Sequence, residues 1–184
     1  MRQLILMALV GSYLGLANAE PSTATFSLAS PDLGGQLTQT QVFNGFGCEG
    51  DNISPALVWS NPPAGTKSYA VTVYDPDAPT GSGWWHWLIY NIAAKVNQLP
   101  ADAGDLASDT APAGSVQSVT DYGQPGFGGA CPPPGDGAHR YVFTVYALEV
   151  PNISAEPDTP PAQIGFLLNQ HALAKASLIA YYQR

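Results

Sequence analysis

Two aspartates, Asp75 and Asp77, stand one residue apart where an apolar run ends in Tyr74-Asp75-Pro76-Asp77-Ala78-Pro79. In extended chain both side chains point the same way, because alternate residues share a face. Pro76 and Pro79 stiffen the corner and remove two amide donors. Like charges on a rigid corner repel, so something must compensate them; a turn with a solvated rim is the alternative reading. His86 follows in Trp84-Trp85-His86-Trp87. If Trp87 faces one layer, strand alternation turns His86 to the other. A single histidine beside an apolar run is ordinarily a hydrogen-bonded core residue. A second histidine shifts that balance. His139 opens a further strand after Cys131-Pro132-Pro133-Pro134 and the Gly135-Asp136-Gly137 turn. It shares a face with Tyr141 and Phe143, while Arg140, Val142 and Thr144 take the other. Asp75, Asp77, His86, His139 and Tyr141 thus form one constellation drawn from segments far apart in sequence. A neutral imidazole offers one N–H, and an imidazolium offers two with a charge. A fully ionised anion offers a carboxylate no donor. The carboxylate can accept from a histidine's far nitrogen, or face the ammonium of a zwitterionic ligand.

These residues need strands to position them. Leu57-Val58-Trp59 leads into the Asn61–Gly65 turn, and Tyr69–Tyr74, Leu88–Ile92 and Tyr141–Val150 read as strands. Their apolar residues do not alternate, as expected of strands covered on both faces. The stretch from Asn97 to Gly137 is rich in Ala, Gly, Ser, Asp and Pro. It is too long for an idle connection, although a surface excursion is the alternative. Near the C-terminus, Thr159 suits an N-cap and Pro160-Pro161 a first helical turn. The Ala-rich sequence beyond predicts a helix to about Tyr181, with Ile164, Leu167, Leu168 and Leu178 on one side. The expected fold is mostly β, with a terminal helix.

The chain resembles the phosphatidylethanolamine-binding protein family, in particular its bacterial Raf kinase inhibitor-like branch. The resemblance is carried by Cys48 with Asp51–Trp59, by Tyr74–Pro79, by Trp84–Ile92, by Cys131–Leu148 and by His171–Tyr182. It implies a large central, antiparallel-rich sheet, a second smaller sheet, a few helices including one at the C-terminus, and a small pocket for phosphate-like anions. The ligand-binding residues it implies are Asp75, Asp77, His86, Pro132, Pro133, His139 and Tyr141, with no metal and no organic cofactor. Three departures, at Ala130, Phe127 and Asp121, fall on the expected rim of that pocket. Asn52-Ile53-Ser54 has the form of a glycosylation sequon but lies inside a family motif, so it reads as structural.

Arg2, the apolar stretch Leu4–Leu16 and Ala17-Asn18-Ala19 compose a signal peptide, residues 1–19, with cleavage before Glu20. Thirteen residues are too few to span a bilayer, so a stable anchor is not expected. The remainder, 20–184, reads as one domain that is exported, periplasmic or secreted. Export makes a Cys48–Cys131 disulfide the default, two free thiols being the alternative. Losing Arg2 from six basic residues leaves five against 14 acidic ones, a formal charge of −9. That balance, without a basic patch, argues against nucleic acid and anionic membranes as partners. The leading reading is a binding protein for a small anionic or zwitterionic ligand such as a phosphorylated head group. A second is an inhibitory or signalling protein, protease- or host-directed, that docks a partner protein through the same pocket. A third is a hydrolase, but the chain has neither a Gly-x-Ser-x-Gly elbow nor a His-Glu-x-x-His motif.

Overall fold

A computed structural model describes residues 24–184; the expected signal peptide lies outside the described residues. Ten strands and one α-helix follow in chain order. They are β1 (Ser27–Ala29), β2 (Asn44–Gly45), β3 (Cys48–Glu49), β4 (Leu57–Ser60), β5 (Ser68–Asp75), β6 (Trp84–Ala93), β7 (Gln98–Leu99), β8 (Val116–Gln117), β9 (His139–Leu148), α1 (Pro161–His171) and β10 (Ala172–Tyr182). A five-stranded antiparallel sheet has the order β10-β9-β5-β6-β8. A smaller sheet has the order β1-β4-β7, and β2-β3 is a separate hairpin.

The central strands are apolar on both faces because both faces are covered. On one face, Val71, Val73, Trp87, Ile89, Tyr141, Phe143 and Val145 pack against Leu57, Trp59 and Leu99 of the smaller sheet. On the other, Ala70, Leu88, Tyr90, Tyr146 and Leu148 pack against Ile164 and Leu168 of α1. Each fully buried large side chain contributes on the order of 1.5–3 kcal/mol. This two-sided core makes the ends of β5, β6 and β9 a rigid platform.

The C-terminal helix is shorter than the sequence predicts. It ends at His171, and Ala172–Tyr182 is a strand paired with β9 from Ala172↔Leu148 to Tyr182↔His139. Alanine favours helix, but the segment alternates at period two. Ala176, Leu178, Ala180 and Tyr182 turn toward the core, while Leu173, Lys175, Ser177, Ile179 and Tyr181 are exposed. Pairing along β9 overrides the local preference. Leu178 therefore belongs to a strand and not to the helical face. Nor is Thr159 the cap. Pro160 occupies that position, and the Thr159 hydroxyl accepts from the Glu156 amide.

Candidate functional site

Asp75 is the last residue of β5, where Pro76 ends the ladder. Its carboxylate is buried and fully engaged. Oδ1 accepts from the amides of Asp77 at 2.8 Å and Ala78 at 3.1 Å, which closes the proline-rich corner. Oδ2 accepts from Nδ1 of His139 at 2.7 Å. The strand does not persist to Asp77, so the two carboxylates diverge. Asp77 turns outward and takes a bidentate ion pair with Arg140, at 2.8 Å from Nε and 2.7 Å from Nη2. The Arg140 hydrogen bond is the main reason that its carboxyl titrates near 2. Repulsion between the two aspartates is thus relieved by giving each its own partner.

His86 reaches the site through a β-bulge. Val73 pairs with Trp87 and Tyr74 with Trp85, which leaves His86 as the extra residue. The bulge breaks strand alternation, so the expectation that His86 and Trp87 face opposite layers fails. Trp87 lies in the core beside Phe127, and His86 lies edge-on to Tyr141 of the same core, at 5.1 Å between ring centroids. Nδ1–H of His86 donates to the Gly128 carbonyl at 2.7 Å, with the Gly129 carbonyl at 3.2 Å. Burial holds the ring's pKa below the ordinary histidine value, opposed chiefly by the Gly128 hydrogen bond.

The loop that receives His86 is fixed from behind by Asn52. Its Nδ2 donates to the Phe127 carbonyl and its Oδ1 accepts from the Gly129 amide at 2.7 Å. Gly129 must be glycine, since a Cβ would lie 2.3 Å from the Gln41 carbonyl oxygen. The three departing positions support this frame. Phe127 packs edge-on to Trp87, the Ala130 carbonyl accepts from the Phe43 amide, and Asp121 accepts from the Trp85 amide at 2.7 Å.

One cavity of about 190 Å³ collects these elements. Asp75, His86, Pro132, Pro133, His139 and Tyr141 line it, and Asp77 does not. Seven further lining residues were not among those expected to bind ligand: Phe46, Ala78, Pro79, Thr80, Trp84, Tyr122 and Cys131. Trp84 stood in the quoted tryptophan run. Tyr122 had only one signal, an aromatic ring within a Gly/Pro-rich loop. It stacks on Phe43 at 4.2 Å and donates from its hydroxyl to the Gly129 carbonyl at 2.8 Å. The Tyr141 hydroxyl and the Trp84 indole N–H are buried and find no partner among the described residues. Burial pushes both the Tyr122 and Tyr141 phenols up, so they stay neutral and can donate.

The Cys48–Cys131 disulfide ties the β2-β3 hairpin to the proline wall. Arg184 adds a second tie, donating to the carbonyls of Pro132 at 2.6 Å and Gly47 at 2.8 Å. It places a positive charge at the rim of an otherwise acidic protein. A larger cleft, about 370 Å³, lies beyond Tyr122, with Asp51, Asp102 and Asp105 in its lining. Those carboxylates make it unsuited to an anion. The third histidine, His171, ends α1 beside Glu149 at 3.7 Å and does not line the histidine cavity.

Comparison with known proteins bears on this arrangement. The family model described as phosphatidylethanolamine-binding protein matches residues 29–183. The chain belongs to the phosphatidylethanolamine-binding protein family. It is 48% identical to the UPF0098 protein YbcL of Escherichia coli over 177 residues, covering 95% of this chain and 97% of that one. It is also 48% identical to the E. coli protein YbhB, over 84% of this chain and 98% of that one. The crystal structure of E. coli YbcL, described as a new member of the mammalian PEBP family, superposes with a TM-score of 0.85 at 51% identity. That match covers 88% of this chain and 99% of the other. A Chlamydia trachomatis homologue of the family superposes at 0.70 with 30% identity, over 86% and 97% of the two chains. The mostly β architecture of two unequal sheets is therefore the family fold, and family membership marks the chain as a binding protein.

Proposed function

We propose that this protein is an exported binding protein for small ligands bearing a phosphate-type anion, such as a phosphorylated or zwitterionic head group. The observation that carries the reading is the meeting of His86, His139, Asp75 and Tyr141, from three strands, around one small cavity. At about 190 Å³ the cavity falls below the usual range of about 300–1,000 Å³ for drug-sized ligands. It suits a head group and excludes most of a lipid. Aromatic and proline walls keep water from one side, which strengthens any hydrogen bond formed within. Asp75 orients His139, and Gly128 orients His86, so neither ring must be ordered when the ligand arrives.

Calorimetry with phosphoethanolamine at pH 5.5 tests the reading. His86→Ala and His139→Ala should each weaken binding about tenfold, the value of one charge-assisted hydrogen bond. His171→Ala, outside the cavity, should leave it unchanged. Equal affinity in all four proteins would refute the assignment. Export is tested separately: the intact mass of protein recovered from the host should begin at Glu20.

A further inference from the structure

The hydrogen bonds behind the two histidines determine what the rings offer to a ligand. His86 Nδ1 faces the carbonyl of Gly128, and His139 Nδ1 faces the carboxylate of Asp75. A carbonyl and a carboxylate only accept, so in each neutral ring the proton sits on Nδ1. Nε2 is then a bare lone pair. Both rings line the cavity, and Nε2 of His86 has no protein partner among the described residues. Nε2 of His139 has only the Asp136 carboxylate nearby, at 3.5 Å. The neutral pair therefore does not donate to an anion.

Resting on the anion-binding reading above, we propose that the cavity selects tetrahedral oxyanions by the proton they carry. It accepts hydrogen phosphate, dihydrogen phosphate and protonated phosphomonoesters, and rejects sulfate and phosphodiesters, while the histidines are neutral. Dihydrogen phosphate brings two O–H donors, one for each ring, and hydrogen phosphate brings one. Sulfate matches hydrogen phosphate in shape and charge but brings none. A phosphodiester also has none, so the same rule separates an intact lipid head group from a free phosphate. An oxygen lone pair set against a nitrogen lone pair in a desolvated site is rejected strongly.

Lowering the pH protonates Nε2 and so adds a ring donor to the Tyr141 hydroxyl and Trp84 indole already lining the cavity. The groups that face His86 are Asp75 on β5, His139 and Tyr141 on β9, and Asp121 and Tyr122 in the loop after β8. Those facing His139 are Asp75 and Asp136. Burial opposes the His86 imidazolium, while the Gly128 carbonyl and the Asp75 and Asp121 carboxylates favour it.

Asp75→Asn offers a direct inversion. Oδ1 of Asp75 accepts two backbone amides, so the amide oxygen of asparagine must keep that place. Its NH₂ then points at His139 Nδ1 and moves that ring's proton to Nε2. A lone pair in the cavity becomes a donor.

The test is calorimetry of inorganic phosphate, sulfate and dimethyl phosphate at pH 8 and pH 5.5, at constant ionic strength. At pH 8 phosphate should bind at least about tenfold tighter than sulfate or dimethyl phosphate. The gap should narrow at pH 5.5, and also in Asp75→Asn at pH 8. Charge removal alone would raise both dianions together and leave their ratio unchanged. Nitrogen-15 NMR of wild-type protein at pH 8 should show pyridine-type Nε2 in both rings, which tests the lock without any variant. Equal phosphate and sulfate affinity at pH 8, or a protonated Nε2 in both neutral rings, would overturn the proposal and leave an unselective anion site. No binding of any anion at either pH would overturn the anion-binding reading itself.

Discussion

Removing the Cys48–Cys131 disulfide should cost the protein much of its stability. The bond joins residues 83 apart in sequence, and no cysteine among the described residues is free. Constraining so long a loop lowers the entropy of the unfolded chain by an amount worth about 4.5 kcal/mol at 25 °C. Replacing both cysteines by serine should therefore lower the unfolding free energy by about that much. For a domain of this size the midpoint should fall by roughly 9–18 °C. Folded-state contacts change little, because Arg184 still links the Gly47 and Pro132 carbonyls on either side of the lost bond. Urea denaturation of the double variant and the oxidised parent measures the difference, and the m-value should rise because the released unfolded chain exposes more surface. The pocket should respond as well, since Cys131 precedes the Pro132-Pro133 wall and the hairpin carries Phe46. A loss below about 1 kcal/mol would mean that the bond does not restrict the unfolded chain to that extent, and the entropic argument would fail.

Three further outcomes follow from single groups. Burial lowers the His86 pKa, so between its folded and unfolded values the unfolded state binds more protons, and stability falls as pH drops through about 6.5. From pH 7.5 to 5.5, wild type should lose up to about 1.4 kcal/mol more than His86→Gln in parallel urea titrations; parallel curves would refute the burial argument. Asp77→Asn should leave phosphate affinity unchanged, because the side chain faces Arg140 outside the cavity; a large loss by calorimetry would return Asp77 to the site. Gly129→Ala should destabilise by about 1–3 kcal/mol and weaken anion binding together, because its Cβ would strike the backbone of Gln41, Val42 and Phe43 beside the His86 anchor.

The neutral histidine pair marks where chemistry read from residue types alone stops short. Types and spacing bring two histidines to two strand openings and suggest that each still donates when neutral. Whether Nε2 donates or accepts depends on what stands behind Nδ1. For His86 that group is a carbonyl 42 residues away, and for His139 a carboxylate 64 residues away. A chain read in order carries no signal of either pairing.

What the sequence by itself determined is local or repetitive. Apolar runs without alternation implied strands covered on both faces, and the central strands are so covered, by β4 and β7 on one side and α1 on the other. The shared face of His139, Tyr141 and Phe143 follows from strand periodicity, and β9 keeps it. The family motifs pointed to six residues that now line one cavity. Only tertiary structure decided the remainder. Ala172–Tyr182 is a strand because β9 offers a full ladder of partners, which outweighs alanine's helical preference. His86 and Trp87 share a layer because a bulge adds one residue on β6, and nothing in Trp-Trp-His-Trp specifies a bulge. Asp77 leaves the cavity because Asp75 consumes the corner's amides while Arg140, on a different strand, holds the second carboxylate outside. Each of these outcomes is a competition for hydrogen-bond partners distant in sequence, and folding is what brings the competitors together.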